Sequence, residues 1–177
     1  MNKIKWLVAV LLIAVVGQYG VAMLAPNLIM QTLYRGVADL SGENIFIITP
    51  LPDETARTVV RPSPDLFYGI CAYNVKSGPV LIEALVPKKY WSMQFYQMNT
   101  DNFSSFSNQR DEAYRVDTTT KITLISASDD SSKYQGDVVR SPTDKGVMLI
   151  RVSAIGDQTQ QMEALKASHC SAVVNEK

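Results

Sequence analysis

No charged side chain lies between Lys5 and Arg35, so residues 6–34 form an unbroken stretch of 29 uncharged residues. Within it Trp6–Val16 is an apolar run of eleven, and after Gly17, Gln18, Tyr19 and Gly20 apolar character resumes from Val21 to Ala25. Coiled as a helix, residues 6–25 rise about 30 Å, the thickness of a bilayer's hydrocarbon core. A helix satisfies its own backbone hydrogen bonds in lipid, so this segment is predicted to be a single transmembrane anchor. A buried core helix is the weaker alternative, because the run begins at the extreme N-terminus and exceeds what a domain core needs.

A cleaved secretory signal is the rival reading, with Lys3 and Lys5 as its positive region. A cut after Ala25 would place Met23 where a small residue is preferred and Pro26 just beyond the cut, which favours an uncleaved anchor. Under the positive-inside rule Lys3 and Lys5 stay cytoplasmic, Trp6 sits at the inner interface, and everything after the anchor is exported. Pro26 lacks the N–H that would continue the ladder, so the helix is predicted to bend or restart there. A short second helix over residues 27–40 follows. Its stripe is Ile29, Leu33 and Val37, four apart, with Met30 and Tyr34 beside it, and it would rest on lipid or on the domain.

The charges divide along the same line. Residues 1–35 carry three bases and no acid, whereas residues 36–177 carry 14 bases and 17 acids, which hides an asymmetric chain behind a net charge of zero. No basic surface suited to nucleic acid follows from this balance. The predicted organisation is a cytoplasmic N-terminus (1–5), the anchor (6–25), a juxtamembrane helix or linker (26–42) and a β-rich domain (43–177).

Period-two patterns dominate that domain. Val80, Ile82, Ala84 and Val86 alternate with Leu81, Glu83 and Leu85, and Trp91, Met93 and Phe95 alternate with Tyr90, Ser92, Gln94 and Tyr96. Further strands are predicted at Ile45–Ile48, Leu66–Val75, Lys121–Ser126, Val138–Arg140 and Val147–Ala154. Four prolines at 50, 52, 62 and 64 mark an extended loop, and the polar stretch Ser126–Ser132 reads as a surface loop. Asp157 is placed to cap a C-terminal helix running to about His169. The predicted fold class is mainly β: an antiparallel β-sandwich or barrel-like domain with a C-terminal helix, preceded by one transmembrane helix.

Two cysteines and one histidine exclude a zinc site built from Cys and His alone, which takes four ligands. Asp129 and Asp130 are adjacent and would point to opposite faces of a strand, so no metal site and no cofactor is predicted. In an exported domain Cys71 and Cys170 are either oxidised to a disulfide or remain two separate buried thiols.

The stretch Arg61–Val80, RPSPDLFYGICAYNVKSGPV, resembles the first domain of a bacterial family known as domain of unknown function 1254. Arg61, Pro62, Asp65, Tyr68, Gly78, Pro79 and Val80 match that family's segment. Downstream YWSMQFYQMNTDNF supplies a second match at Thr100, Asp101, Asn102 and Phe103. Pro64 and Leu66 replace a family Asn and Thr, which removes two polar groups. The resemblance spans roughly residues 45–168. It implies a β-sandwich-like fold and a Cys71–Cys170 bond, because similar short members carry cysteines at both places; with the anchor and its positive foot, the predicted location is a bacterial inner membrane with the domain in the periplasm. Longer members carry a second domain, numbered 1214, so a partner protein bearing that companion domain is expected. The resemblance implies no established reaction.

Three functions remain open at this level. The leading one is a membrane-anchored binding or interaction module, with Arg61, Asp65, Tyr68, Tyr96, Asp101 and Asn102 as a polar cluster at one end of the sandwich. Arg61 would grip a carboxylate bidentately, although Asp101 and Asn102 equally suit a purely structural turn. The second is an enzyme acting on a small or carbohydrate-like substrate, with Asp65 and Asp101 as paired carboxylates. His169 is a weak catalytic candidate, since no Gly-x-Ser-x-Gly elbow accompanies it. The third is a structural envelope protein, which needs no open polar pocket.

Overall fold

A computed structural model describes residues 3–57, 62–109 and 118–173. Helix α1 (Lys3–Ser41) is continuous for 39 residues and contains Pro26 in its interior. The predicted restart at Pro26 and the separate helix over 27–40 are therefore corrected to one long helix. Beside the proline the Asn27 side-chain amide donates to the Met23 carbonyl at 3.1 Å, adding a hydrogen bond to the turn that the proline weakens. Among the described residues α1 is the one helix long and apolar enough to cross a membrane, and its apolar window is wholly unburied.

The C-terminal part of α1 packs on the domain. Met30, Tyr34 and Val37 are buried against Ile70, Ala72 and Val147, with Leu33 and Ala38 alongside. The buried stripe is thus rotated from the one expected: Ile29, its predicted first member, is 51% exposed.

Nine strands follow: β1 (Phe46–Ile48), β2 (Leu66–Asn74), β3 (Val80–Leu85), β4 (Trp91–Gln97), β5 (Asn102–Ser107), β6 (Thr119–Ser126), β7 (Asp137–Ser141), β8 (Lys145–Ser153) and β9 (His169–Ala172). They form a five-stranded sheet, β1-β2-β8-β4-β5, and a four-stranded sheet, β7-β6-β3-β9. Alternation sorts the side chains. Phe67, Cys71, Tyr73, Trp91, Met93, Phe95, Met148 and Ile150 from the larger sheet meet Val80, Ile82, Ala84, Ile122 and Leu124 from the smaller in one core. The opposite, outer face of the larger sheet receives α1.

Three local expectations are corrected. Strand β7 pairs parallel with β6, so the smaller sheet is mixed; the chain returns through a short 3-10 turn at Ser131–Lys133 inside the expected loop. Strand β5 was not predicted. Phe103 and Phe106 are three apart, which would send them to opposite faces, but a register shift at Phe95/Tyr96 lets both rings lie about 6 Å from Phe95. Helix α2 (Gln158–Lys166), capped by Asp157 as expected, stops at Lys166, and His169–Ala172 turns into β9 against β3. On this strand Cys170 is buried and its sulfur reaches Cys71 of β2.

Candidate functional site

The structure does not gather the predicted polar cluster. Arg61 lies outside the described residues. Asp65 is exposed ahead of β2, and its carbonyl accepts from the Ala154 N–H at 2.7 Å. Tyr68 on β2 accepts the Ser63 N–H at its hydroxyl, 2.8 Å, and so fastens the loop before the strand. Tyr96 on β4 donates to Gln94 Oε1. Asp101 holds a turn: its carboxylate accepts from the Gln97 and Asn99 amides at 3.1 and 2.7 Å, and Thr100 between them takes φ 74°. Asn102 opens β5 opposite Tyr96.

These groups sit at two ends of the larger sheet. Asp65 is tied to Ala154, and Gln97, the partner of Asp101, lies opposite Gly146. Eight strand residues separate those positions, about 26 Å at the strand rise. The expectation that Asp65 and Asp101 converge is therefore corrected; paired glycosidase carboxylates stand about 5–10 Å apart. His169 is exposed on β9 opposite Glu83, which already pairs with Lys121 at 2.5 Å. Among the described residues no group of three or more His, Cys, Asp or Glu is placed to hold a metal ion.

Cys71 and Cys170 are joined in a disulfide that links β2 of the larger sheet to β9 of the smaller across 99 residues.

Two clusters emerge on the outer face of the larger sheet. The first clamps the C-terminal end of α1. The Glu43 carboxylate accepts from the Tyr34 hydroxyl at 2.6 Å, Lys145 Nζ at 2.8 Å and Asn74 Nδ2 at 2.6 Å, and the Lys145 ammonium stands 5.2 Å from the Tyr34 ring centre. The Lys145 contact, then the Tyr34 hydroxyl, hold the Glu43 carboxyl down at about 2.

The second cluster is an open polar groove of about 170 Å³. The pairing registers align Tyr68, Arg151, Ser92 and Ser107 in one row across β2, β8, β4 and β5. Arg151 is half-buried. Its Nε donates to Ser92 Oγ at 3.2 Å, and the same oxygen accepts from the Tyr90 hydroxyl at 2.9 Å. Gln94, Ser105, Phe106 and Gln109 complete the walls. Among the described residues no carboxylate lies within ion-pair distance of Arg151. Sequence reasoning passed over this residue. The signal was the single charge interrupting the apolar run Val147–Val152, at an outward position in register with Ser92.

A family model described as a protein of unknown function (DUF1254) matches residues 43–171. Among solved structures, the VPA0106 protein from Vibrio parahaemolyticus superposes with a TM-score of 0.61 at 14% identity, over 88% of this chain and 36% of that one. An uncharacterised protein from Burkholderia cenocepacia gives a TM-score of 0.53 at 14% identity, over 88% of this chain and 42% of that one. The chain thus spans less than half the length of either, and at this identity the likeness is one of fold. No curated protein matches.

Proposed function

We propose, for a chain that belongs to the DUF1254 family, a single-pass membrane-anchored binding module whose β domain faces the periplasm and works with a partner protein. The carrying observation is the division of one sheet face. Among the described residues the N-terminal helix covers the part around Ile70, Ala72 and Val147 and leaves open the part around Arg151, a half-buried charge with no described acid beside it. Holding a cation partly out of water with no described counter-charge costs stability, and a ligand's negative charge would offset that cost.

Other features support the same reading. The disulfide is consistent with an oxidising compartment. Lys3 and Lys5 ahead of the apolar run favour a cytoplasmic N-terminus. In the two solved neighbours the matched part makes up 36% and 42% of the chain, so there it is joined to further polypeptide. The partner proposed here is a protein carrying the companion domain numbered 1214.

The test places a photoactivatable benzophenone side chain at Ser105, in the open groove, or at Thr119, exposed on the smaller sheet, in the full chain in its native membrane. A cross-link from Ser105 to a protein with the companion domain, and none from Thr119, is the expected result. Absence of any adduct from Ser105, or equal adducts from both positions, overturns the partner reading.

A further inference from the structure

We propose that the groove at Arg151 is a carboxylate site, taking one planar, singly charged acid group. This rests on the reading of the open sheet face as a binding surface and names what that surface binds.

The argument is a count of donors and acceptors. Ser92 Oγ already accepts two hydrogen bonds, from Arg151 Nε and from the Tyr90 hydroxyl. The Gln94 amide oxygen accepts from Tyr96, which leaves the Gln94 NH₂ group to donate. Ser107 accepts the Gln109 N–H, and its hydroxyl proton remains, as does that of Ser105. Nothing among the described residues accepts from the terminal amino groups of Arg151. The groove therefore offers an excess of donors, and an ionised carboxylate is the side-chain-sized group that only accepts.

Charge and size narrow the class. One guanidinium supplies one positive charge, and the remaining described walls are neutral hydroxyls, amides and the rings of Tyr90 and Phe106. A carboxylate balances that charge, whereas a phosphate dianion leaves one charge unmet. The planar fork of arginine matches a carboxylate with two parallel hydrogen bonds. A volume of about 170 Å³ lies below the range typical of sites for whole drug-sized ligands, about 300–1,000 Å³, so the groove holds the acid group and little beyond it. Such a group comes from a free small acid or from an acidic side chain of the partner.

The probe is sodium acetate, titrated into the full chain in detergent at constant ionic strength. Its readouts are the Arg151 Nε–H resonance and the Ser105 and Ser107 amides. Acetate is expected to shift these saturably in the millimolar range, sodium chloride to leave them in place, and inorganic phosphate to bind more weakly. Arg151→Gln should abolish the response and Arg151→Lys should weaken it about tenfold through loss of the fork; both variants are first shown to melt as wild type does. Equal shifts with chloride, tighter binding of phosphate, or a response that survives in R151Q overturns the proposal. The two readings fail separately. Acetate binding without any Ser105 cross-link keeps the site and removes the partner, with a free acid as its source. Ser105 cross-links in a wild-type chain that shows no acetate response keep the partner and remove the site. Cross-links that acetate suppresses identify the partner's own acid as the ligand.

Discussion

The sulfur atoms of Cys71 and Cys170 close the sandwich across its core, fastening the C-terminal edge strand β9 to β2 of the opposite sheet. Four residues of β9 pair with β3, and little else holds that edge. Because the bond shortens the unfolded chain's freedom over a loop of 99 residues, replacing both cysteines by serine is expected to cost about 3–4 kcal/mol. Chemical denaturation of wild type and of the double variant measures it. An equal midpoint for both, or two thiols alkylated without reductant, sinks the assignment.

The Glu43 clamp predicts an acid-labile hold on the anchor. The Lys145 ammonium and the Tyr34 hydroxyl hold its carboxyl down at about 2 in the folded chain, well below the ordinary carboxylate range. The contribution is therefore complete above about pH 4.5 and disappears as pH falls toward 2. Glu43 is 37% exposed at its side chain, so solvent screening keeps the value within about 1 kcal/mol. Urea midpoints at pH 6 and pH 3 should differ by more in wild type than in Glu43→Gln. A difference of the same size in the variant removes this role.

Glycine at 146 is required by contact. A Cβ there would overlap the Tyr73 hydroxyl and the Tyr96 carbonyl, two groups that hydrogen-bond to each other at 3.1 Å. Gly146→Ala should destabilise by about 1–3 kcal/mol, as overpacking does. Gly36 in α1 meets nothing within 4 Å, and Gly36→Ala should stabilise by up to about 1 kcal/mol. Paired melting curves decide, and a neutral G146A contradicts the packing described.

An uncleaved anchor predicts that protein purified from membranes keeps residues 1–25. Intact mass spectrometry reads this directly, and a mature chain beginning at Pro26 would establish the signal-peptide alternative. Alkaline phosphatase fused after the last residue should be active if the domain is periplasmic, and a silent fusion would reverse the topology.

The core was legible in the sequence because alternation encodes burial. Trp91, Met93 and Phe95 face inward, as do Val80, Ile82 and Ala84. Alternation carries no strand direction, so the parallel pairing of β7 on β6 left no trace. Strand β5 was hidden because Phe103 and Phe106 break period two and share a face only through the register shift. Strand β9 was hidden because Ala164 and Ala167 favour helix up to its edge, and only Cys170 of its four residues is buried. The motif residues Asp65 and Asp101 were visible as polar groups beside turns and Tyr68 as a strand residue, and hydrogen bonds to nearby backbone and side chains occupy Tyr68 and Asp101. Arg151 became a candidate only once the registers of four strands put it beside Ser92 and Ser107.

Because α1 has no break between its exposed apolar part and Met30, where packing on the sheet begins, the helix, as the anchor proposed above, would be a strut rather than a tether. From Ala25 to Met30 the rise is about 7.5 Å. In a bilayer the domain would ride within one or two helical turns of the surface at a fixed tilt. A second membrane-held protein would then meet the Arg151 groove by sliding in a plane, at one height and one bearing, so much of the rotational search is settled before contact. Inserting a flexible Gly-Ser linker after Pro26 would restore free tumbling while leaving every contact of the groove unchanged.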